Sequence, residues 1–169
     1  MSEYPKTQPA FTMKVAVDPP YAVGSGSRNT NFQIIPMVPG GTLKSAEGFS
    51  PALDAEFVGV GNDYIHADAD GKHLRLNAHG VVKTKDEALI YVKYTGVVNF
   101  TEAEQAVFTG SAADGSTPWG NSFTHVTFQT GDERYKELEN RVFVGQGRFT
   151  VEKSKPLIVE YRISQVTQG

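Results

Sequence analysis

A chain of 169 residues, 39% hydrophobic and 21% charged, can bury one substantial core and is short for two. Its formal charge is −3 and its acids and bases are interspersed, so it lacks the basic stripe that neutralises phosphates, which makes nucleic acid a poor candidate partner, and none is expected. It has no cysteine, which excludes disulfides, thiolate catalysis and cysteine-based zinc sites.

Residues Met1 to Ala10 are polar, contain Pro5 and Pro9, and lack the apolar stretch of a secretory signal. They are expected to form a mobile tail (1–10) ahead of a single domain (11–169). No run is long enough to span a bilayer, so no membrane partner is expected and the location is read as cytoplasmic. Phe11, Met13, Val15 and Val17 alternate with smaller or polar residues at the period of a half-buried strand. Asp18-Pro19-Pro20 ends it, and the polar stretch 22–31 is a loop. Phe32 to Val38 is strand-like but bent or edge-placed by Pro36, and Gly40-Gly41 reads as a turn or bulge.

Leu53 to Val60 forms another strand, Gly61-Asn62 a turn, and Tyr64 to Ala67 a short extended piece. Asp70-Gly71 is a hairpin signal leading into His73–Lys83. Lys85-Asp86-Glu87 turns the chain into Ala88–Tyr94. Thr101-Glu102-Ala103-Glu104 is a capping box, predicting a helix to about Thr109 that stops at Gly110. Residues 111–121 are a loop, Ser122–Thr130 a strand, and Glu133–Glu139 a helical turn. Asn140–Gly145, Arg148–Val151 and Leu157–Val166 complete the strands. Many short strands with tight turns and one or two short helices predict an all-β antiparallel meander closed into a barrel.

Several motifs recur in one order: Gly40-Gly41, Gly61-Asn62-Asp63-Tyr64, Thr84 to Ile90, Thr130-Gly131, Arg134-Tyr135, Leu138, Asn140 and Phe143-Val144-Gly145. In these the chain resembles the family of domain of unknown function 3237, over roughly residues 11–166. The resemblance implies a calycin-like (lipocalin-like) barrel with a cavity, commonly self-associating, so a homodimer is expected. It implies no particular reaction, although some fungal relatives look like natural-product pathway proteins whose small barrels steer cyclisations or isomerisations. Departures from the family pattern are Asn77 in place of a common Asp, His79 in place of Arg, and Asn121-Ser122-Phe123 in place of an aromatic-Arg pair. The segment Ala112–Asn121, with Trp119, is longer than usual. These departures weaken any reading based on ionic recognition of a ligand through an Asp/Arg pair.

If Thr84 pairs with Glu87 across the turn, Asn77, His79 and Val81 share a face with Ile90, Val92 and Tyr94. That face would suit a mostly apolar pocket. On this register His79 is a candidate acid or base, Tyr94 a donor to a carbonyl or enolate oxygen, and Asn77 an orienting amide. Packing or solvent-facing roles are the alternatives for His79 and Tyr94. Asp63 is a candidate base at the barrel mouth, or else a turn residue capping nearby amides. Tyr64, Val92 and His125 are further ligand-binding candidates. So is Asn140, which alternatively bridges the Gly131–Glu139 turn. Trp119 is read as a lid or a dimer contact.

His66, His73, His79 and His125 form no metal-ligand spacing, and no nucleotide fingerprint occurs, so no metal and no cofactor are expected. The expectation is a barrel that binds a small hydrophobic metabolite. It would act as a cofactor-independent isomerase, cyclase or lyase on a conjugated compound, with a non-catalytic carrier as the alternative.

Overall fold

The computed structural model describes residues 2–169. The strands are β1 (Lys6–Val17), β2 (Tyr21–Ala22), β3 (Asn31–Ser45), β4 (Asp54–Ala67), β5 (His73–Thr84) and β6 (Leu89–Asn99). Helix α1 (Glu102–Phe108) follows, then β7 (Gly115–Ser116), β8 (Ser122–Gln129), a 3-10 helix (Lys136–Asn140), β9 (Phe143–Val151) and β10 (Leu157–Thr167). Eight long strands form a closed antiparallel barrel in the order β1-β10-β9-β8-β6-β5-β4-β3, and β3 pairs back onto β1. Closure leaves no long edge to aggregate.

Alternation decides what faces in. Phe11, Met13 and Val15 of β1, Ala78 and Val82 of β5, Ile90, Val92 and Tyr94 of β6, and Tyr161 and Ile163 of β10 are all buried. Phe11, Phe49, Phe128 and Phe143 fill one region of the interior with ring centroids 4.9 to 6.3 Å apart, mostly edge to face. Aromatic pairs of this kind favour such offset geometry.

The capping box of α1 forms as its sequence predicts. The Thr101 N–H donates to Glu104 Oε2 at 3.2 Å, and Asn121 Nδ2 donates to Glu104 Oε1 at 3.1 Å. Glu104 is 1% exposed, so one carboxylate both caps α1 and ties it to the start of β8.

Three expectations about the fold change. The chain is not free up to Ala10: β1 starts at Lys6, which lies opposite Thr167 of β10. Polar composition concealed a strand whose first part makes backbone hydrogen bonds without burying side chains. Gly61-Asn62 is not a turn, because β4 runs through it. The pairing jumps from Phe57↔Val82 to Gly61↔Gly80, so β4 bulges by two residues and the alternation resumes unchanged. Gly40-Gly41 takes the bulge of the two expected alternatives: it lies inside β3, where the pairing with β1 jumps from Lys14↔Thr42 to Ala16↔Val38.

The third change is the β5–β6 register. Lys83 pairs with Leu89 and Ala78 with Tyr94, one residue away from the expected Asn77↔Tyr94 pairing. The loop has three residues, Lys85 to Glu87, with Glu87 in the left-handed region at φ 72. Thr84 Oγ1 accepts the Ala88 N–H at 2.9 Å, and the Thr84 hydroxyl donates to Asp86. Asp86 in turn accepts from Tyr135 Oη at 2.8 Å and pairs with Arg134 at 2.9 Å. A one-residue shift moves every side chain to the opposite face. Asn77, His79 and Val81 therefore share the outer face with Tyr91, Lys93 and Thr95.

Candidate functional site

Among the described residues, Asp63 is the acid that the barrel interior holds among mostly hydrocarbon side chains, whereas the buried Glu104 and Glu160 are paired with Asn121 and with Arg148. Asp63 lies on β4, two residues beyond Gly61, opposite Ile35 of β3 and Ala78 of β5. It is 7% exposed and accepts one hydrogen bond, from the Asn77 N–H to Oδ1 at 3.1 Å. Burial pushes its pKa up to about 7, against the lowering effect of that hydrogen bond. The β4 bulge makes this placement possible. At Gly61, φ is +137°, and a Cβ there would lie 2.1 Å from the His79 carbonyl oxygen. Glycine therefore lets β4 press against β5 and turn the next inward side chain into the barrel.

Tyr94 of β6 and Tyr161 of β10 line the same small cavity as Asp63, with ring centroids 5.1 Å apart. Burial raises both phenol pKa values, and the nearby Asp63 charge adds to this, so both remain neutral donors. The cavity is about 20 Å³, and its other walls are apolar side chains such as Ile65, Leu76 and Phe149. Among the described residues, no lysine or arginine lines it. Chemically, this is an acid poised to gain or lose a proton near neutrality beside two neutral hydrogen-bond donors.

The other candidate positions lie elsewhere. His79 is on the outer wall: Nδ1 contacts the Tyr91 hydroxyl and Nε2 lies 3.1 Å from Asn77 Oδ1. Tyr64 is beside it, edge-on at 6.2 Å, and accepts from Asn62 Nδ2 at 3.3 Å. Val92 faces inward but is packed in the core away from the Asp63 cavity. His125 is exposed on β8, next to Phe123, which is 58% exposed. Asn140 is exposed at the end of the 3-10 helix. Trp119 does not cover the barrel. Its ring lies under the Arg148 guanidinium at 4.5 Å, and Arg148 pairs with Glu160 at 2.8 Å.

Of the expected reactive residues, the interior thus brings together Asp63 and Tyr94, and adds Tyr161. The signal for Tyr161 was weak, because a Tyr inside an apolar strand reads as packing. Potential metal-ligand atoms of Asp68, Asp70 and His73 lie within 4.8 Å of one another in the β4–β5 turn. Asp68 there is held by Arg75 at 2.7 Å. Among the described residues, no helix is long and apolar enough to cross a membrane.

Fold and site together define a small closed β-barrel with a buried acid and two buried phenols. The chain belongs to the family described as protein of unknown function (DUF3237), which matches residues 5–166. No curated protein matches it. Solved structures share the fold. A conserved protein of unknown function from Rhodopseudomonas palustris is 21% identical with a TM-score of 0.74, covering 98% of this chain and 99% of that one. A beta-barrel like protein from Acinetobacter baumannii AYE is 21% identical with a TM-score of 0.73, covering 99% of each chain. A protein from Penicillium herquei, described as an enzyme, is 20% identical with a TM-score of 0.64, covering 98% of this chain and 97% of that one.

Proposed function

We propose that this barrel is a redox-neutral, cofactor-independent enzyme, an isomerase, cyclase or lyase acting on a neutral, hydrophobic, conjugated carbonyl compound. The observation that carries this reading is Asp63, an acid buried in the interior with its pKa raised to about 7. Such a group can both take and return a proton at neutral pH. Ionised Asp63 removes a proton from the carbon next to the substrate carbonyl. The electron pair moves onto the carbonyl oxygen, where the Tyr94 or Tyr161 phenol donates a hydrogen bond to the enolate. Protonated Asp63 then returns the same proton to another carbon of the conjugated system, so the ledger of protons and electrons closes within one substrate. The structural neighbour described as an enzyme supports catalysis on this fold.

The test is to incubate the pure protein, and its Asp63→Asn variant, with extract of its source at a small fraction of metabolite concentration. Liquid chromatography with mass spectrometry follows the compounds. An isomeric or dehydrated product exceeding the amount of wild-type protein, and lost in the variant, supports the reading. A compound retained unchanged, in proportion to protein and equally by both proteins, replaces it with a carrier.

A further inference from the structure

The Asp63 cavity is separated from solvent by a thin wall. Val17, Ile35, Phe108 and Leu157 line both that cavity of about 20 Å³ and a second one of about 540 Å³ at the barrel mouth. The inner space suits about one water, whereas the outer lies within the range of small-molecule sites. The outer cavity is bounded by Pro19, Pro20, Val107 and Pro156, with Asp18 and Lys155 also lining it.

Phe108 is the part of the wall that no barrel strand carries. Val17, Ile35 and Leu157 are held in barrel strands, whereas Phe108 is the last residue of the seven-residue α1. Its ring is half-buried, edge-on to Phe100 at 5.4 Å and to Phe149 at 5.5 Å. Thr109 and then Gly110, at φ +74°, follow it. The N-terminal part of the helix is pinned through Glu104, and its C-terminal end is closed by the Gly110 N–H on the Val107 carbonyl and the Ser111 N–H on the Ala106 carbonyl, so the ring sits on the last turn of a short helix and not on a barrel strand.

We infer that the two cavities are one ligand chamber divided by Phe108, and that it takes a neutral, largely apolar molecule with a hydroxyl or carbonyl at its leading end. The body rests in the mouth between α1 and the 154–157 turn, and the polar end passes Phe108 to meet Asp63 and the two phenols. Neutrality follows from the inner walls: an anion there meets the Asp63 charge with no cation beside it. This inference rests on the proposed reading of Asp63 as the reactive group, but it concerns binding alone.

The probe is 2-naphthol, which is flat, neutral and hydroxylated. Its affinity is measured by fluorescence, and the Asp63 side-chain carboxyl carbon is followed by NMR, assigned through Asp63→Asn. Saturating naphthol moves the Asp63 resonance in the wild type. Phe108→Ala tightens binding by about tenfold if the ring blocks the passage nine-tenths of the time. Phe108→Leu, which guards against loss of fold, tightens it less. Phe108→Trp weakens binding and leaves the Asp63 resonance in place. An unmoved Asp63 resonance in both wild type and Phe108→Leu, equal affinity in all variants, or no binding by any of them overturns the chamber. Binding at Asp63 without turnover of any extract compound leaves the chamber standing and removes the catalytic reading.

Discussion

The Asn77 N–H donates to Asp63 Oδ1 at 3.1 Å, so a residue whose side chain points outward supplies the hydrogen bond that steadies the buried acid. That bond lowers the Asp63 pKa, yet burial outweighs it and leaves the group near 7 against an ordinary 3.8. A raised carboxyl pKa has a definite consequence for stability. Between about pH 4 and 7 the folded chain keeps a proton that the unfolded chain has released. Stability contributed at Asp63 is therefore full below about pH 4, falls as pH rises, and is lost above about 7. The difference amounts to about 4 kcal/mol. Urea unfolding of wild type and Asp63→Asn across this range is expected to show the variant gaining on the wild type as pH rises. Parallel curves would mean that Asp63 ionises as freely as an exposed acid.

The two phenols are expected to separate activity from stability. Tyr94→Phe or Tyr161→Phe removes a hydroxyl and keeps the ring, so unfolding free energy changes by about 1 kcal/mol. If either phenol holds the developing oxyanion, its loss lowers kcat by about 10²–10³. With the wild type, the rate rises with pH to a plateau above about 7, following ionisation of Asp63 as the base. Comparing kcat with Tm for the two variants identifies which phenol faces the reacting oxygen. Equal, small losses in both variants would assign the rings to packing.

The barrel, its helix and its hairpins were legible because they rest on local signals: alternation at Phe11–Val17, Asp70-Gly71, and the Thr101–Glu104 capping box. The reactive face was harder to read, because it depended on one loop residue. Glu87 carries no glycine signature, yet it occupies the left-handed region, lengthens the loop and reverses the β5–β6 faces. Of the contacts that hold this loop, Thr84 with Asp86 is local, whereas Asp86 with Tyr135 joins motifs 49 residues apart. Sequence displays both motifs without showing that they meet. Asp63 was visible as a candidate, but its interior position depends on the two-residue bulge in β4. Local pattern reads Gly61-Asn62 as a turn.

Gly61 is expected to be the least replaceable glycine near the site. Alanine there combines positive φ with a Cβ 2.1 Å from the His79 carbonyl oxygen. Backbone strain and forced strand separation together cost about 3 kcal/mol or more. That lowers Tm by about 6–12 °C for a chain of this size. Gly71→Ala is the matched control: φ is +70° but nothing lies within 4 Å of its Cβ, so only backbone strain of about 1 kcal/mol remains. Equal melting shifts for the two variants would show that the β4–β5 contact yields easily, and that the bulge does not fix Asp63.

His79 provides the converse test. A histidine is the usual first choice for a proton-transfer residue near neutral pH. Here its imidazole lies outside the barrel, bound to the Tyr91 hydroxyl and the Asn77 side chain, with the β5 backbone between it and Asp63. His79→Phe removes two exposed-side hydrogen bonds, and exposed or half-exposed bonds contribute about 1 kcal/mol each at most. The Asn77 N–H that reaches Asp63 belongs to the backbone and survives the change. Turnover of the substrate and the pH midpoint of the rate are therefore expected to match the wild type within about twofold, which is less than 0.5 kcal/mol. Tm is expected to fall by only a few degrees, about 2–4 °C per kcal/mol. A loss of about a hundredfold in kcat with the fold intact would move the chemistry to the outer wall, onto Asn77, His79 and Tyr91. The Asp63 cavity would then be a structural feature of the core.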